Sequence, residues 1–361
     1  MAHRVTLIPG DGIGPEVTAA ARRVLEATGV GFDWDVHELG AAAIERHGTP
    51  LPDPAIQSIR ERGVALKGPV STPIASGFRS ANIALRDVLD LYAGIRPCRS
   101  FAGIPTPFPD VEVVIVRMTG EDLYAGIEYE IGTDAAARLR SFVRETTGAD
   151  VSDDAGVTLK PISRSGAARV ARRALAYARE HSRRKVTVVH KATVMRFTDG
   201  LFLDAAREVA ASEYPDVALE DGLVDAICQR LVRRPETCDV LLAPMLYGDI
   251  LSDLGAALVG GLGMAPGVNV GDNYAVFEAA HGSVPGQAGR NRANPMALVL
   301  SGAMLLRHLG EHRAAARVHD AVAAVVREGR TLTYDLRPSP DDPGAAGTSE
   351  VADAVIEALS R

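Results

Sequence analysis

The sequence predicts an α/β protein in which short buried strands feed helices and the polar chemistry gathers where strands end. Three stretches carry that prediction. An apolar run at 4–8 meets the turn Gly10-Asp11-Gly12-Ile13-Gly14-Pro15-Glu16 and then a helical pattern reaching about residue 27. The run Asp239-Val240-Leu241-Leu242-Ala243-Pro244-Met245 reads as a buried strand that ends where Tyr247-Gly248-Asp249-Ile250-Leu251-Ser252-Asp253 begins. A third run, 275–278, opens onto Ala280-His281-Gly282-Ser283-Val284-Pro285-Gly286-Gln287-Ala288-Gly289 and a helix start near Asn294-Pro295.

The bulk composition narrows the function classes. A chain of 361 residues, 47% apolar, is long enough for two core-bearing lobes. Its net charge of −7 argues against a polyanionic partner, and no basic patch interleaved with aromatics points to nucleic acid. The three cysteines, Cys98, Cys228 and Cys238, are far apart and lack a C-x-x-C pair, so neither a disulfide framework nor a zinc site is indicated. A reducing cytoplasm is the expected location. No run of about 18 apolar residues suggests membrane insertion, and the first ten residues carry no export-type apolar region.

In chain order, the turn at 10–16 is expected to be structural. Its glycines permit a tight turn and Pro15 suits the first helical position. As a dinucleotide fingerprint it fits poorly, because the third glycine falls one residue early and no suitably placed acid follows about 20 residues on. Residues 65–70 form a strand and turn, leading into a glycine- and serine-containing loop at 71–77. Ser80, Asn82, Arg86, Arg96, Arg117 and Tyr124 then stand out among apolar neighbours. Asn82 and Arg86 are i,i+4 on an expected helix that starts near Ser80, so the three share a face. An arginine fork grips a carboxylate with two parallel bonds, and three arginines together suit an acid with two or three carboxylates. Singly, each arginine reads as a surface or ion-pair residue.

Residues 133–148 read as a charged amphipathic helix followed by a polar loop at 149–156, an inserted arm. The core pattern returns with a helix at 167–181 and a strand at 186–189 that ends on His190 and Lys191. Lys191 is either an ion-pair or a functional residue, Asp225 raises the same question, and His190 is expected to hydrogen-bond structurally. The glycine-rich stretch 260–267 is expected to be a hinge. The exposed amides of the 280–289 loop suit a nucleotide's phosphates. Helices are expected at 297–309, 313–328 and 349–359, around a proline-rich loop at 337–347.

Asp249 and Asp253, one helical turn apart, present two hard oxygen ligands on one face, the set that Mg2+ or Mn2+ takes while keeping water and substrate in its other positions. The alternative is a helix cap at Asp249 and a solvated Asp253.

The stretches 7–16, 67–97, 121–128, 186–202, 247–267 and 277–295, in this order along nearly the whole chain, resemble the isocitrate/isopropylmalate dehydrogenase family of β-decarboxylating dehydrogenases. The segment Phe78-Arg79-Ser80-Ala81-Asn82-Ile83-Ala84-Leu85-Arg86 is similar to the isocitrate type; isopropylmalate enzymes carry apolar residues near the serine and asparagine positions. The resemblance implies an isopropylmalate dehydrogenase-like, two-lobed doubly wound fold, distinct from the Rossmann fold. Residues 1–91 and 260–361 would form the large lobe, 92–121 and 167–259 the small lobe, and 122–166 a small clasp-like insertion. It implies that Arg86, Arg96 and Arg117 hold substrate carboxylates, with Ser80 and Asn82 on the γ-carboxylate. Asp249 and Asp253 would bind Mg2+ or Mn2+ together with Asp225 of a second subunit. Lys191, also from that subunit, would handle the hydroxyl proton, and Tyr124 would protonate the enolate carbon. Implied cofactor contacts are Thr72, Glu278, His281, Gly282, Ser283, Gly286, Gln287, Ala288, Asn294, Tyr334 and Asp335. The implied partners are a tricarboxylate or close analogue and a second copy in a homodimer with shared sites.

Departures from the family pattern are specific. The family's Glu-Asn after the third arginine is Met118-Thr119 here, and the asparagine two residues after the lysine is Thr193. Gly286-Gln287 carries neither the Lys-Tyr pair of NADP enzymes nor the aspartate of NAD enzymes, which favours NAD and keeps NADP open, with Arg337, Arg290 or Arg292 as phosphate partners. These changes leave open a relative acting on a phosphonate analogue, homoisocitrate or isopropylmalate. A non-catalytic regulatory subunit is disfavoured, because Asp225, Asp249, Asp253, Lys191 and Tyr124 are all present.

Overall fold

The computed structural model describes residues 2–71, 79–339 and 341–361. Its strands, in chain order, are β1 (His3–Ile8), β2 (Phe32–Val36), β3 (Val64–Lys67), β4 (Ala93–Arg99), β5 (Glu112–Met118), β6 (Glu128–Tyr129), β7 (Val157–Thr158), β8 (Lys185–His190), β9 (Ala218–Leu223), β10 (Val240–Ala243), β11 (Pro266–Val270) and β12 (Ala275–Ala279). Ten of them form one sheet in the order β2-β1-β3-β12-β11-β4-β5-β10-β8-β9. Neighbours run parallel except where β11 opposes both β12 and β4, and where β4 opposes β5. The result is a mixed α/β fold built on a large, mostly parallel sheet. The sheet passes without a break from strands near the N-terminus to the β5-β10-β8-β9 group.

Central parallel strands are covered by helices on both faces, so they need near-continuous apolar runs rather than alternation. Val240–Ala243 is such a run, buried at every position. The helices Gly14–Glu26, Met296–His308, His312–Glu328 and Thr348–Leu359 pack on one another, and Arg164–Glu180 packs on Asp199–Glu213. Met296–His308 is buried almost all round, as its apolar sequence requires. Among the described residues, no helix is long and apolar enough to cross a membrane.

The turn after β1 is structural. Cβ atoms added at Gly10 and Gly12 would lie 2.2 Å from the Pro69 carbonyl oxygen and 2.0 Å from that of Ser283, so neighbouring backbone fills the space a phosphate would need. Asp11 in this turn is buried and accepts from the amides of Ala41 (2.9 Å), Ala42 (3.0 Å) and Ser71 (2.7 Å), latching the turn to a helix start.

The 260–267 stretch, expected to be a hinge, holds two short regular elements. A short 3-10 turn at Leu262–Met264 leads directly into β11, whose first residues are Pro266 and Gly267. Glycine stands in this strand because a side chain crosses it: a Cβ on Gly267 would lie 2.4 Å from Nη1 of Arg96. Glycine at 267 marks a close approach.

The arm carries a second, two-stranded sheet. It comprises the 3-10 turn Asp122–Ala125, the helix Asp134–Thr147, and an antiparallel pair of β6 with β7. Thr133 caps the helix by accepting from the Ala136 amide (3.2 Å).

Candidate active site

The strand ends of β3 and β12 place Lys67 beside Glu278 in register. Both are almost wholly buried, at 2% and 6% exposure, and their charged atoms are 2.7 Å apart. Oε1 of Glu278 also accepts from Arg86 Nη2 (3.2 Å), Arg96 Nη2 (3.1 Å) and Asn269 Nδ2 (2.6 Å). Burial alone would raise this carboxyl's pKa, but Lys67, Arg86 and Arg96 outweigh it and hold Glu278 well below the usual carboxylate range. Arg96 is anchored further by the Val268 carbonyl (3.0 Å) and Asn269 Oδ1 (3.1 Å). Glu278, implied as a cofactor contact, is the hub of a buried ion cluster.

Above this floor lies the helix Met245–Leu258, entered from β10 through Pro244. Arg117, at the end of β5, pairs with Asp249, and the Tyr124 hydroxyl donates to Asp249 Oδ2 at 2.6 Å. Burial and then Asp249 push the Tyr124 phenol up to about 12, so it carries its proton at neutral pH. Burial would also raise the Asp249 carboxyl, yet Arg117, Tyr124 and Arg86 together keep it below its ordinary value. At Asp253, burial and the Asp249 charge outweigh Arg117 and Arg96 and push the carboxyl up. Two adjacent carboxylates on one helix face, one of them raised by burial and by the other's charge, are hard oxygen donors. Asp249 and Asp253 therefore fit Mg2+ or Mn2+.

Together these groups enclose a cavity of about 130 Å³, lined by Lys67, Asn82, Arg86, Arg96, Arg117, Asp249, Ser252, Asp253, Glu278 and His281, with apolar contacts from Val70 and Ala279. Among the described residues, three polar atoms of its lining are buried without a hydrogen-bond partner: Asn82 Oδ1, Arg117 Nε and His281 Nε2. Buried polar atoms normally find partners, so their arrangement suits a polar occupant. The helix Ala81–Val88 presents Asn82 and Arg86 to the cavity, while Ser80, at its N-cap position, is half-buried and outside the lining.

Lys191 and Asp225 lie elsewhere. They pair with each other at 2.7 Å and neither lines the cavity. Among the described residues, no three His, Cys, Asp or Glu side chains of one chain are grouped to hold a metal ion. His190 is structural, as expected: its Nε2 is 3.1 Å from Asp221 and its Nδ1 accepts from the Ala192 amide (3.0 Å).

Of the remaining implied contacts, Thr72 falls outside the described residues. His281 and Gly282 line the cavity, and Ser283 bonds through its hydroxyl to Ser71. Gly286 and Gln287 belong to the 3-10 turn Pro285–Gln287, with Ala288 at its end. Asn294 Nδ2 donates to Asp335 Oδ2 (3.0 Å), while its Oδ1 accepts from the Met296 amide (3.0 Å) at a helix start. The Arg292 guanidinium lies over the Tyr334 ring, 5.1 Å from its centre. Arg337 is committed to the carbonyls of Gly329 (3.0 Å), Arg330 (2.6 Å) and Gly344 (2.8 Å).

A family model described as isocitrate/isopropylmalate dehydrogenase matches residues 4–355. The chain belongs to this family. It is 41% identical over 355 residues to "Isocitrate dehydrogenase [NAD] catalytic subunit 5, mitochondrial" of Arabidopsis thaliana, covering 98% of this chain and 88% of that one. It is 39% identical over 383 aligned positions to "Isocitrate dehydrogenase [NADP]" of Haloferax volcanii, covering 98% of this chain and 91% of that one. The crystal structure of isocitrate dehydrogenase from Methylococcus capsulatus superposes with a TM-score of 0.90 at 45% identity, covering 99% of this chain and 100% of that chain.

Of the departures from the family pattern, Met118 and Thr119 are packing residues. Met118 and Thr119 are buried at the end of β5, Thr119 bonds to the Leu91 carbonyl, and neither lines the cavity. Four charged residues near the site escaped the sequence reading: Lys67, Asp122, Lys160 and Asp199. Lys67 left the clearest trace, as a lysine closing the otherwise apolar strand Val64–Lys67. The others look like ordinary surface charges until the fold buries them.

Proposed function

We propose that this family member is a metal-dependent β-decarboxylating dehydrogenase that oxidises isocitrate, or a close tricarboxylate analogue, and reduces a nicotinamide cofactor, NAD in preference to NADP. The charge inventory of the cavity carries the reading. Four cations (Lys67, Arg86, Arg96, Arg117) face three carboxylates (Asp249, Asp253, Glu278), an excess of one positive charge. A divalent cation raises the excess to three, which one tricarboxylate neutralises.

When bound, the cation supplies a Lewis acid and the nicotinamide an electron acceptor. The protein's own residues do the rest. Arg86, Arg96 and Arg117 orient the carboxylates, and Asn82 offers a polar contact to the substrate. Lys191 of the partner subunit takes the hydroxyl proton. Tyr124, held protonated beside Asp249, returns a proton to the carbon that CO2 leaves.

The separation of Lys191 and Asp225 from their own cavity supports shared sites in a homodimer. Exposed apolar side chains support it: Val194 and Phe197 follow Lys191, Val232 shares the Asp225 helix, and Ile250 shares the Asp249 helix. Ile131 and Phe142 expose the arm's apolar side in the same way. We place 1–91 with 260–361 in one lobe and 92–121 with 167–259 in the other, with 122–166 as a clasp. A cytoplasmic location accords with three free cysteines.

NAD is favoured because a 2′-phosphate needs a cation, Arg337 is committed to backbone carbonyls, and Gly286-Gln287 adds no charge. Steady-state kinetics with each acid and cofactor test the specificity. An unpaired buried polar group costs about 1–3 kcal/mol, so an isopropyl group facing Asn82 is expected to lower kcat/KM about tenfold or more against isocitrate. Equal values for isocitrate and isopropylmalate overturn the substrate assignment. A phosphonate analogue that outperforms isocitrate reassigns it, and a tenfold preference for NADP overturns the cofactor assignment.

A further inference from the structure

The arm contributes one lysine to a buried ion cluster that touches both parts of the catalytic set. Lys160, its side chain 13% exposed, reaches Asp199 Oδ1 at 2.5 Å and Asp122 Oδ1 at 3.7 Å, and lies 4.7 Å from the centre of the Tyr247 ring. Asp122 and Asp199 are both 0% exposed. Carboxylates so buried persist when paired, and here one ammonium group serves two of them, hydrogen-bonded to Asp199 and ion-paired at longer range with Asp122.

The second oxygen of each carboxylate binds a backbone amide, and the two amides are the informative ones. Asp122 Oδ2 accepts from Leu246 (2.9 Å) in the first turn of the helix that carries Asp249 and Asp253. Asp122 also opens the 3-10 turn that carries Tyr124, in a left-handed conformation (φ +67°) that a non-glycine residue holds only when its surroundings demand it. Asp199 Oδ2 accepts from the amide of Lys191 itself (2.7 Å).

We propose that Lys160 is a positioning residue for two active sites at once: through Asp122 it sets Tyr124 and Asp249 in its own chain's cavity, and through Asp199 it sets the Lys191 that serves the partner's cavity. The proposal rests on the shared-site reading given above. Loss of this one lysine then disturbs both cavities of a dimer, by separate routes.

Doubly tagged mixed dimers, assayed with saturating Mg2+ and cofactor, separate the routes, with the wild-type/Arg86→Ala dimer as reference. A Lys160→Met chain paired with an Arg86→Ala chain leaves one working cavity, which has the altered Tyr124 side and an intact Lys191. A Lys160→Met/Arg86→Ala chain paired with a wild-type chain leaves the converse cavity, intact except for its borrowed Lys191. Misplacing reacting groups by about 1 Å costs up to roughly 100-fold, so kcat is expected to fall about 10- to 100-fold in both arrangements, with KM for the acid within about threefold because the arginines are untouched. Lys160→Arg, which keeps the cation, is expected to recover most of the loss in both. A loss in only one arrangement, or in neither, overturns the proposal. If Lys160→Met chains do not fold, Asp122→Asn and Asp199→Asn replace it, each expected to impair one arrangement only; equal losses in both from either variant overturn the proposal. A Lys191→Met/Arg86→Ala dimer is the separate control: its failure to show activity refutes the shared sites themselves.

Discussion

Asp249→Asn is expected to lower kcat roughly 100- to 1,000-fold, the typical consequence of removing a preorganised electrostatic stabiliser, while the fold survives. The asparagine keeps the size of the side chain and one accepting oxygen, but it turns the second acceptor, used by Arg117 or Tyr124, into an amide donor and removes the charge that Arg117 uses and a divalent cation would use. Its side chain is 42% exposed, so no unpaired charge is left deep in the core except that of Arg117, which substrate carboxylates can meet. The check is a titration of activity with Mg2+ and Mn2+, alongside a thermal melt. A variant with full activity, or a wild-type enzyme that works in excess chelator, contradicts the role given to Asp249 and Asp253.

Mixing two inactive chains is expected to restore activity. Lys191→Met removes the proposed proton acceptor and Arg86→Ala a proposed carboxylate clamp. Because Lys191 pairs with Asp225 outside its own cavity, a mixed dimer assembles one cavity with neither lesion and one with both. Activity should appear on subunit exchange and scale with the mixed-dimer fraction. Complete exchange with no activity shows that each chain carries its whole site.

How much of this was legible in the sequence depended on how local the physics was. The pair Asp249 and Asp253 was legible because helical periodicity places residues four apart on one face. Asn82 and Arg86 were legible for the same reason, and both reach the cavity. The link between Lys67 and Glu278 was not, because it depends on the parallel register of β3 with β12 across most of the chain. The reason for Gly267 was hidden in a related way: glycine marks flexibility or close approach equally well, and only the path of Arg96 shows the close approach at this position. Asp122, Lys160 and Asp199 carry no local signal, since each is an ordinary charge until three separate elements bury it. The order of the motifs along the chain pointed to the family where local chemistry alone left the alternatives open.

The most direct test is the stoichiometry of the reaction itself: purified protein with isocitrate, Mg2+ and NAD, following CO2 release and nicotinamide reduction together. The account predicts both products in equal amounts and both abolished by chelator. Reduced nicotinamide without CO2, or neither product from isocitrate or any tricarboxylate analogue with either cofactor, would contradict it.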